Sequence, residues 1–369
     1  MKKFITQLIM IIAVSMISCS TDPEVSIEQE LQNALDNELR NYNGKGATAA
    51  VLLPGREIWV GATGISHEGA PITKDMVFCI ASVTKSFTAT LILQLMEEGK
   101  LSLGDSLKKW LPDFPNINSN ITIKQLLNHT SGIFNYTMNP EYDTKLDADL
   151  SKLWTPEETI TTFVLNPYCV PGAGYNYSNT NYLLLGMIIK EVTGSTVSNE
   201  LRSRILSPLG LNLSYLPVEE TERGTRAHPW LDFNDDNQLE DCSALPQTAV
   251  YSINWTAGAI HSTAEELVRF SNALLHEKTL LTQTTIDQML DFYPVGGGLG
   301  YGLGISITPD FLEGVQGIGV DGASPGYGAR MVYIPSAGIS ITVMINMDEG
   351  YDCKAAISRA LAQVALNHN

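Results

Sequence analysis

The chain has 369 residues, 44% of them hydrophobic, and a formal net charge of −17, which supplies a large core and excludes a disordered polymer. So acidic a surface excludes nucleic acid as a partner and offers no general attraction to anionic wall polymers, so any such substrate must be held locally.

Met1-Lys2-Lys3 and the apolar run from Phe4 to Ile17 form the charged start and short hydrophobic core of a secretory signal. The run ends at Met16-Ile17-Ser18-Cys19, the pattern of a bacterial lipobox. Residues 1–18 are then a lipoprotein signal, Cys19 is the lipidated residue and 19–26 is a tether. Removing 1–18 takes away two lysines and no acid, moving the net charge from −17 to −19. The expected product is exported, a periplasmic or outer-membrane lipoprotein held by acyl chains rather than by a spanning helix.

Ile27, Leu31, Leu35 and Leu39 mark an amphipathic helix ending before Asn43-Gly44. Strands are predicted over Ala47 to Leu53 and Glu57 to Ala62, turned by Pro54-Gly55. A helix starting near Ser82 and stopped by Gly99 follows. Helix and loop signals then dominate to about residue 290, including Thr122 to Asn128, Pro156 to Val164, Asn181 to Thr193 and Ala264 to Leu275. Strand signals return at Gly302 to Thr308, Arg330 to Ile334 and Ile339 to Asn346, before a helix from Lys354 to Leu366. The expected fold is α/β (α+β): an antiparallel sheet built from both termini (27–80 and 291–369) and flanked by helices, with a mainly helical lobe (81–290) inserted.

Ser82 and Lys85 lie three apart at the start of a helix that is apolar on most sides (Phe87, Ala89, Leu91, Ile92, Leu93, Leu95, Met96). Such a helix is buried, and a buried lysine is driven toward its neutral, proton-accepting form. It can then activate the serine hydroxyl, while the Ser82 N–H can meet an oxyanion. The same spacing recurs at Ser106-Leu107-Lys108-Lys109, but in a polar stretch where nothing desolvates the amine, which reads as a solvated turn. Tyr177 and Asn179, in the loop Pro171 to Asn181, supply a phenol able to share the lysine's proton and an amide able to orient a carbonyl or the lysine.

Two other patterns are set aside. Gly322-x-Ser324-x-Gly326 matches the nucleophile elbow of α/β-hydrolases, but that elbow needs an N–H after the serine and Pro325 has none. Gly296 to Gly300 lacks the Lys-Ser/Thr of a phosphate loop. Cys79, Cys169, Cys242 and Cys353 leave three disulfide pairings open, and no metal-ligand spacing occurs; His261 and Glu265 read as a surface pair.

Ser82-x-x-Lys85, Tyr177-Ser178-Asn179 and the strand ending at Gly322, in that order, resemble the three motifs of the serine β-lactamase and D-alanyl-D-alanine carboxypeptidase family, class C-like branch. Phe78 to Phe87, Leu126-Leu127-Asn128-His129-Thr130-Ser131-Gly132, Pro171 to Asn181 and Tyr301-Gly302-Leu303-Gly304 are similar family phrases. The resemblance implies the β-lactamase/transpeptidase-like fold and acyl transfer without cofactor or metal. In it Ser82 attacks a carbonyl, Lys85 and Tyr177 move protons, Asn179 positions substrate, and the Ser82 and Ala323 N–H groups hold the oxyanion. His129 matches a structural turn of the family.

The third motif departs from the family. Val320 stands where His or Lys is usual, and Asp321, Ala323 and Ser306 occupy positions where family carboxypeptidases bind a terminal carboxylate. An Asp in a poorly solvated cleft repels a carboxylate by on the order of 1–4 kcal/mol unless Arg330 or another cation compensates. The leading expectation is an exported serine hydrolase acting on an amide or ester, D-alanyl-D-alanine carboxypeptidase-like or a D-amino-acid peptide hydrolase, with a small-molecule or peptide substrate, a cell-wall stem peptide among the candidates. An esterase or D-aminopeptidase, a binding protein weakened by Val320, and a class C-like β-lactamase are the alternatives. Oligomeric state is left open.

Overall fold

The computed structural model describes residues 25–234, 236–348 and 351–369, Tyr351 by its backbone alone. The expected signal, Cys19 and most of the tether lie outside the described residues. Helix α1 (Ile27–Asn41) starts at Ser26, whose Oγ accepts from the Gln29 N–H at 3.3 Å. Its Leu31, Leu35 and Leu39 share one buried face. Strands β1 (Gly46–Leu52), β2 (Trp59–His67) and β3 (Ala70–Pro71) follow as antiparallel neighbours. Then β4 (Phe78–Cys79), a 3-10 turn over Ala81–Val83 and α2 (Thr84–Glu97) enter the helical segment.

That segment holds α3 (Ile123–Leu127), α4 (Tyr142–Asp147), α5 (Pro156–Phe163), α6 (Asn179–Thr193) and α7 (Val197–Leu201). The hairpin β5 (Trp230–Leu231) and β6 (Glu240–Asp241), α8 (Thr248–Gly258), β7 (His261–Ser262), α9 (Ala264–Ser271) and α10 (Gln283–Met289) complete it. The chain closes with β8 (Tyr293–Gly296), β9 (Leu299–Tyr301), β10 (Ser306–Leu312), β11 (Val315–Ser324), β12 (Tyr327–Ile334), β13 (Ile339–Ile345) and α11 (Tyr351–Asn367).

Nine of these strands make one sheet in the order β3-β2-β1-β13-β12-β11-β10-β9-β8, each neighbouring pair antiparallel. The chain ends meet at β1 and β13, where Ala47 faces Ile345 and Leu52 faces Ser340. One core lies between the sheet and the helical segment; a second lies on the opposite face under α1 and α11. Helix α2 runs through the first, with Phe87, Leu91, Ile92, Leu93 and Leu95 wholly buried. Each such side chain stabilises the fold by about 1.5–3 kcal/mol relative to exposure.

Several expectations are corrected. The strand read as Gly302 to Thr308 starts only at Ser306, in β10; Gly302 to Ile305 is a turn after β9 in which the Gly302 N–H donates to the Ile305 carbonyl at 2.7 Å. Gly304 there has φ 77° and lies so close to α2 that a Cβ would come within 2.4 Å of the Ala89 Cβ. β2 begins at Trp59, not Glu57, and β11 extends through the whole glycine-rich stretch to Ser324. His261 is no surface residue: α9 begins only at Ala264, so His261 sits on β7, fully buried and stacked on Tyr215. Glu265 pairs instead with Arg269 at 2.6 Å. The Gly322-x-Ser324-x-Gly326 segment is the β11–β12 hairpin, and Gly296 to Gly300 turns β8 into β9. Cys79, Cys169, Cys242 and Cys353 are free thiols.

Candidate active site

Ser82 lies in the 3-10 turn rather than in α2 itself, directly after Ala81, whose φ of 45° is unusual for a residue with a Cβ. Neighbouring bonds hold this bend: the Ile80 N–H donates to the Ile260 carbonyl at 2.9 Å, and the Ile260 N–H to Thr84 Oγ1 at 3.0 Å. Lys85 follows one turn later, 0% exposed. Its Nζ is 3.0 Å from Ser82 Oγ, 2.8 Å from Asn179 Oδ1 and 2.7 Å from the Ala257 carbonyl oxygen. On its other side Ser82 Oγ lies 2.8 Å from the Tyr177 hydroxyl.

His129 fixes the loop that brings Tyr177 here. Its carbonyl accepts from the Asn176 N–H at 2.8 Å, its Nδ1 from the Ser178 N–H at 3.1 Å, and its ring packs 4.4 Å from that of Tyr177. Nδ1 also lies 3.1 Å from Asn181 Nδ2. Two donors on Nδ1 place the proton on Nε2. Burial and nearby Lys85 hold His129 well below the usual imidazole range, so the ring is a neutral support behind the phenol.

Burial likewise drives the Lys85 amine well below the ordinary lysine range. A neutral amine has two N–H groups and one lone pair. Asn179 Oδ1 and the Ala257 carbonyl take the hydrogens, so the lone pair faces Ser82 Oγ. The Tyr177 phenol is pushed up to about 12, chiefly by burial and against the Ser82 hydrogen bond. It therefore rests protonated, which makes Lys85 the better acceptor for the serine proton and Tyr177 a relay.

The third motif lies on β11 opposite this turn. β10 covers β11 only as far as Gly319, which faces Ser306, so from Val320 onward the side of β11 away from β12 is an open edge. Ser306 Oγ donates to the Gly319 carbonyl at 2.7 Å. Backbone direction repeats every second residue, so the N–H and C=O of Asp321 and Ala323 point to that open edge. Gly322 backs onto the nucleophile: a Cβ there would come within 2.5 Å of the Ile80 carbonyl and 3.0 Å of the Ser82 nitrogen. Only glycine fits. Val320 is buried in the core beside it, and Asp321 faces Arg330 across the β11–β12 ladder, with Arg330 Nε 3.6 Å from its Oδ1. The Asp321 charge is thus opposed by the cation directly across the ladder.

Two cavities flank the Ser82 and Tyr177 pair. One, of about 280 Å³, reaches Ser82, Asn179, Ala257 and Ala323 and is walled by Tyr142, Leu146, Val250, Thr137 and Asn254, with Asp143 its only charged residue among those described. The other, of about 400 Å³, lies beyond Tyr177 and is lined by Tyr175, Tyr301, Val320, Asp321, Arg330 and Arg359 among others. The structure thus gathers Ser82, Lys85, Tyr177, Asn179, Gly322 and Ala323, sets the largely buried Val320 with Asp321 on the wall of the cavity beyond Tyr177, and excludes Ser106 and Lys109, whose amine pairs with Asp105 at 2.8 Å. Sequence reading missed the Ala257 carbonyl, since any residue can supply one, and Asp143, which belongs to no recognisable motif.

Residues 31–366 match the family model described as Beta-lactamase. Penicillin-binding protein 4 of Amycolatopsis lactamdurans is 29% identical over 347 residues, covering 86% of this chain and 84% of that protein. Penicillin-binding protein 4* of Bacillus subtilis is 27% identical over 312 residues, 80% of this chain and 66% of its own length. A D-stereospecific amidohydrolase from Streptomyces sp. superposes with a TM-score of 0.79 at 29% identity, over 93% of this chain and 99% of its own. A D-amino acid amidase from Ochrobactrum anthropi SV3, complexed with D-phenylalanine, gives 0.80 at 27% identity over 93% and 99%. With a serine, a desolvated lysine and a tyrosine within hydrogen-bonding distance in a matching fold, the chain belongs to the beta-lactamase family and is a serine hydrolase.

Proposed function

We propose that the protein hydrolyses amides of D-amino acids, or short peptides beginning with one, through an acyl-enzyme on Ser82. Ser82 Oγ attacks the carbonyl while its proton passes to Lys85. The Ser82 and Ala323 N–H groups receive the oxyanion, and Tyr177 relays the proton to the leaving amine. Water, deprotonated by the same pair, then releases the D-amino acid.

The observation that carries this reading is the cavity beside Ser82, whose single charge among the described residues is the Asp143 carboxylate, with the apolar Tyr142, Leu146 and Val250 on its walls beside the neutral polar Thr137 and Asn254. Such a compartment suits an acyl group bearing an α-ammonium and an apolar side chain, and the preference for the D-hand is supported by the named specificity of the two structural neighbours. The test is a turnover panel of D-phenylalanine amide, L-phenylalanine amide and N-acetyl-D-alanyl-D-alanine on the purified enzyme. Preference for the free-amino D-amide is expected, with Asp143→Asn raising its KM about fivefold through an exposed charge pair of about 1 kcal/mol. Equal turnover of the N-acetylated peptide would overturn it.

A carboxypeptidase reading is favoured by one specific observation, the cavity beyond Tyr177, which has room for a leaving amino acid and presents Arg359 for its carboxylate beside Asp352 and the Asp321–Arg330 pair. The same panel separates the two. Export as a lipoprotein is part of the proposal and is supported by the residues around Cys19. Palmitate labelling of the cellular protein, abolished by Cys19→Ala, is the expected result, and unlabelled wild-type protein would overturn it.

A further inference from the structure

We propose that Glu219 and Trp255 are positioning residues for Lys85: a backbone reversal at Trp255, held by an indole-to-carboxylate hydrogen bond, aims the Ala257 carbonyl at the lysine amine. The inference rests on Ser82 and Lys85 acting as above, and not on the identity of the substrate.

Helix α8 is interrupted at Trp255, whose φ of 32° and ψ of −117° lie outside the regions open to bulky side chains. Such a conformation persists only where the surroundings impose it. Here the side chain does so. The indole is 3% exposed, its Nε1 donates to Glu219 Oε1 at 2.8 Å, and its ring edge lies against Gly186 of α6, where a Cβ would come within 2.6 Å of Cζ3. The other Glu219 oxygen accepts the Ser198 N–H of α7 at 2.8 Å. Val218, immediately before Glu219, is itself at φ 66°, an unusual place for a β-branched residue. Two strained residues therefore flank one hydrogen bond.

What the reversal achieves is visible in the next residues. The Thr256 carbonyl accepts from Thr88 Oγ1 at 2.8 Å, the Ala257 carbonyl from Lys85 Nζ at 2.7 Å, and the Gly258 carbonyl from Cys79 Sγ at 3.5 Å. Thr256 Oγ1 ties the segment to the Tyr182 carbonyl of α6 at 2.9 Å. A helical Trp255 would let α8 continue and turn these carbonyls along its own axis. Lys85 would then lose one of the two acceptors that orient its lone pair toward Ser82.

The test is the rate of Ser82 acylation by a fluorophosphonate and by p-nitrophenyl acetate, with folding followed by circular dichroism. Trp255→Phe keeps an aromatic ring and removes the N–H with the pyrrole part of the indole. Glu219→Leu removes the acceptor, while Glu219→Gln keeps an amide oxygen in its place. Trp255→Phe and Glu219→Leu are expected to acylate about 10–100-fold more slowly, with ester KM unchanged, and Glu219→Gln to restore most of the rate. A folded Trp255→Phe acylating like the wild type would overturn the proposal, as would Glu219→Gln as slow as a folded Glu219→Leu. Should Glu219→Leu not fold, Trp255→Phe decides alone. If the wild type itself takes up no label, the assignment of Ser82 fails instead, so the two failures are distinguishable.

Discussion

The chain contains the Ser-x-x-Lys spacing twice, and the two copies have opposite fates. Lys85 has no exposed surface and touches Ser82, Asn179 and the Ala257 carbonyl. The Lys109 side chain is 51% exposed, and its amine pairs with Asp105. Ser106 meanwhile forms a backbone bridge with Thr122. Identical spacing produces a proton acceptor in one place and a solvated ion pair in the other, because only burial makes the neutral amine competitive with the ammonium. The reactive copy is made by what surrounds it.

Replacing one copy at a time should expose that difference. Ser82→Ala is expected to abolish fluorophosphonate labelling and lower amide turnover by about 10⁴-fold or more, whereas Ser106→Ala leaves both unchanged. Lys85→Met should cost about 10³-fold in kcat/KM. Crowding the reactive copy from the opposite strand should cost less: Gly322→Ala drives a methyl toward the Ile80 carbonyl and Ser82 nitrogen, and about 10²-fold in kcat is expected, measurable as a slower ester burst.

The pH dependence follows from the same burial. Lys85 must be neutral to act and burial holds it well below the ordinary lysine range, so kcat/KM should hold to well below the pH at which an ordinary lysine takes up its proton and fall as pH drops through the lowered pKa. Tyr177, pushed up to about 12, contributes no alkaline loss below that value. In the unfolded chain Lys85 binds a proton up to its ordinary lysine pKa, so the proton taken up on unfolding costs the folded state more as pH falls. Urea titrations from pH 10 downward should show wild type losing stability relative to Lys85→Met until the folded lysine protonates. The smallest effect belongs to Lys109→Ala, which breaks an exposed pair and should change stability by less than about 1 kcal/mol.

Much of this was legible in the residues alone. The regularly spaced leucines of α1 and the apolar α2 record local periodicity, and the structure places a helix and a buried helix there. Glycine obscures periodicity: β11 carries Gly317, Gly319 and Gly322, which lower strand propensity, and the Gly302 to Gly304 turn reads as strand. His261 was misplaced because helical spacing was counted across a helix start at Ala264.

By itself the order of side chains determined which groups can react, Ser82, Lys85 and Tyr177, and that Lys85 begins an apolar helix. Tertiary structure alone decided which acceptors orient the amine, that Gly322 must lack a side chain, that Arg330 opposes Asp321, and that Asp143 is the charge facing the cavity beside Ser82. The reason is physical: reactivity here depends on desolvation and on backbone carbonyls, and neither belongs to a residue type. Both arise only when segments distant in the chain are packed together.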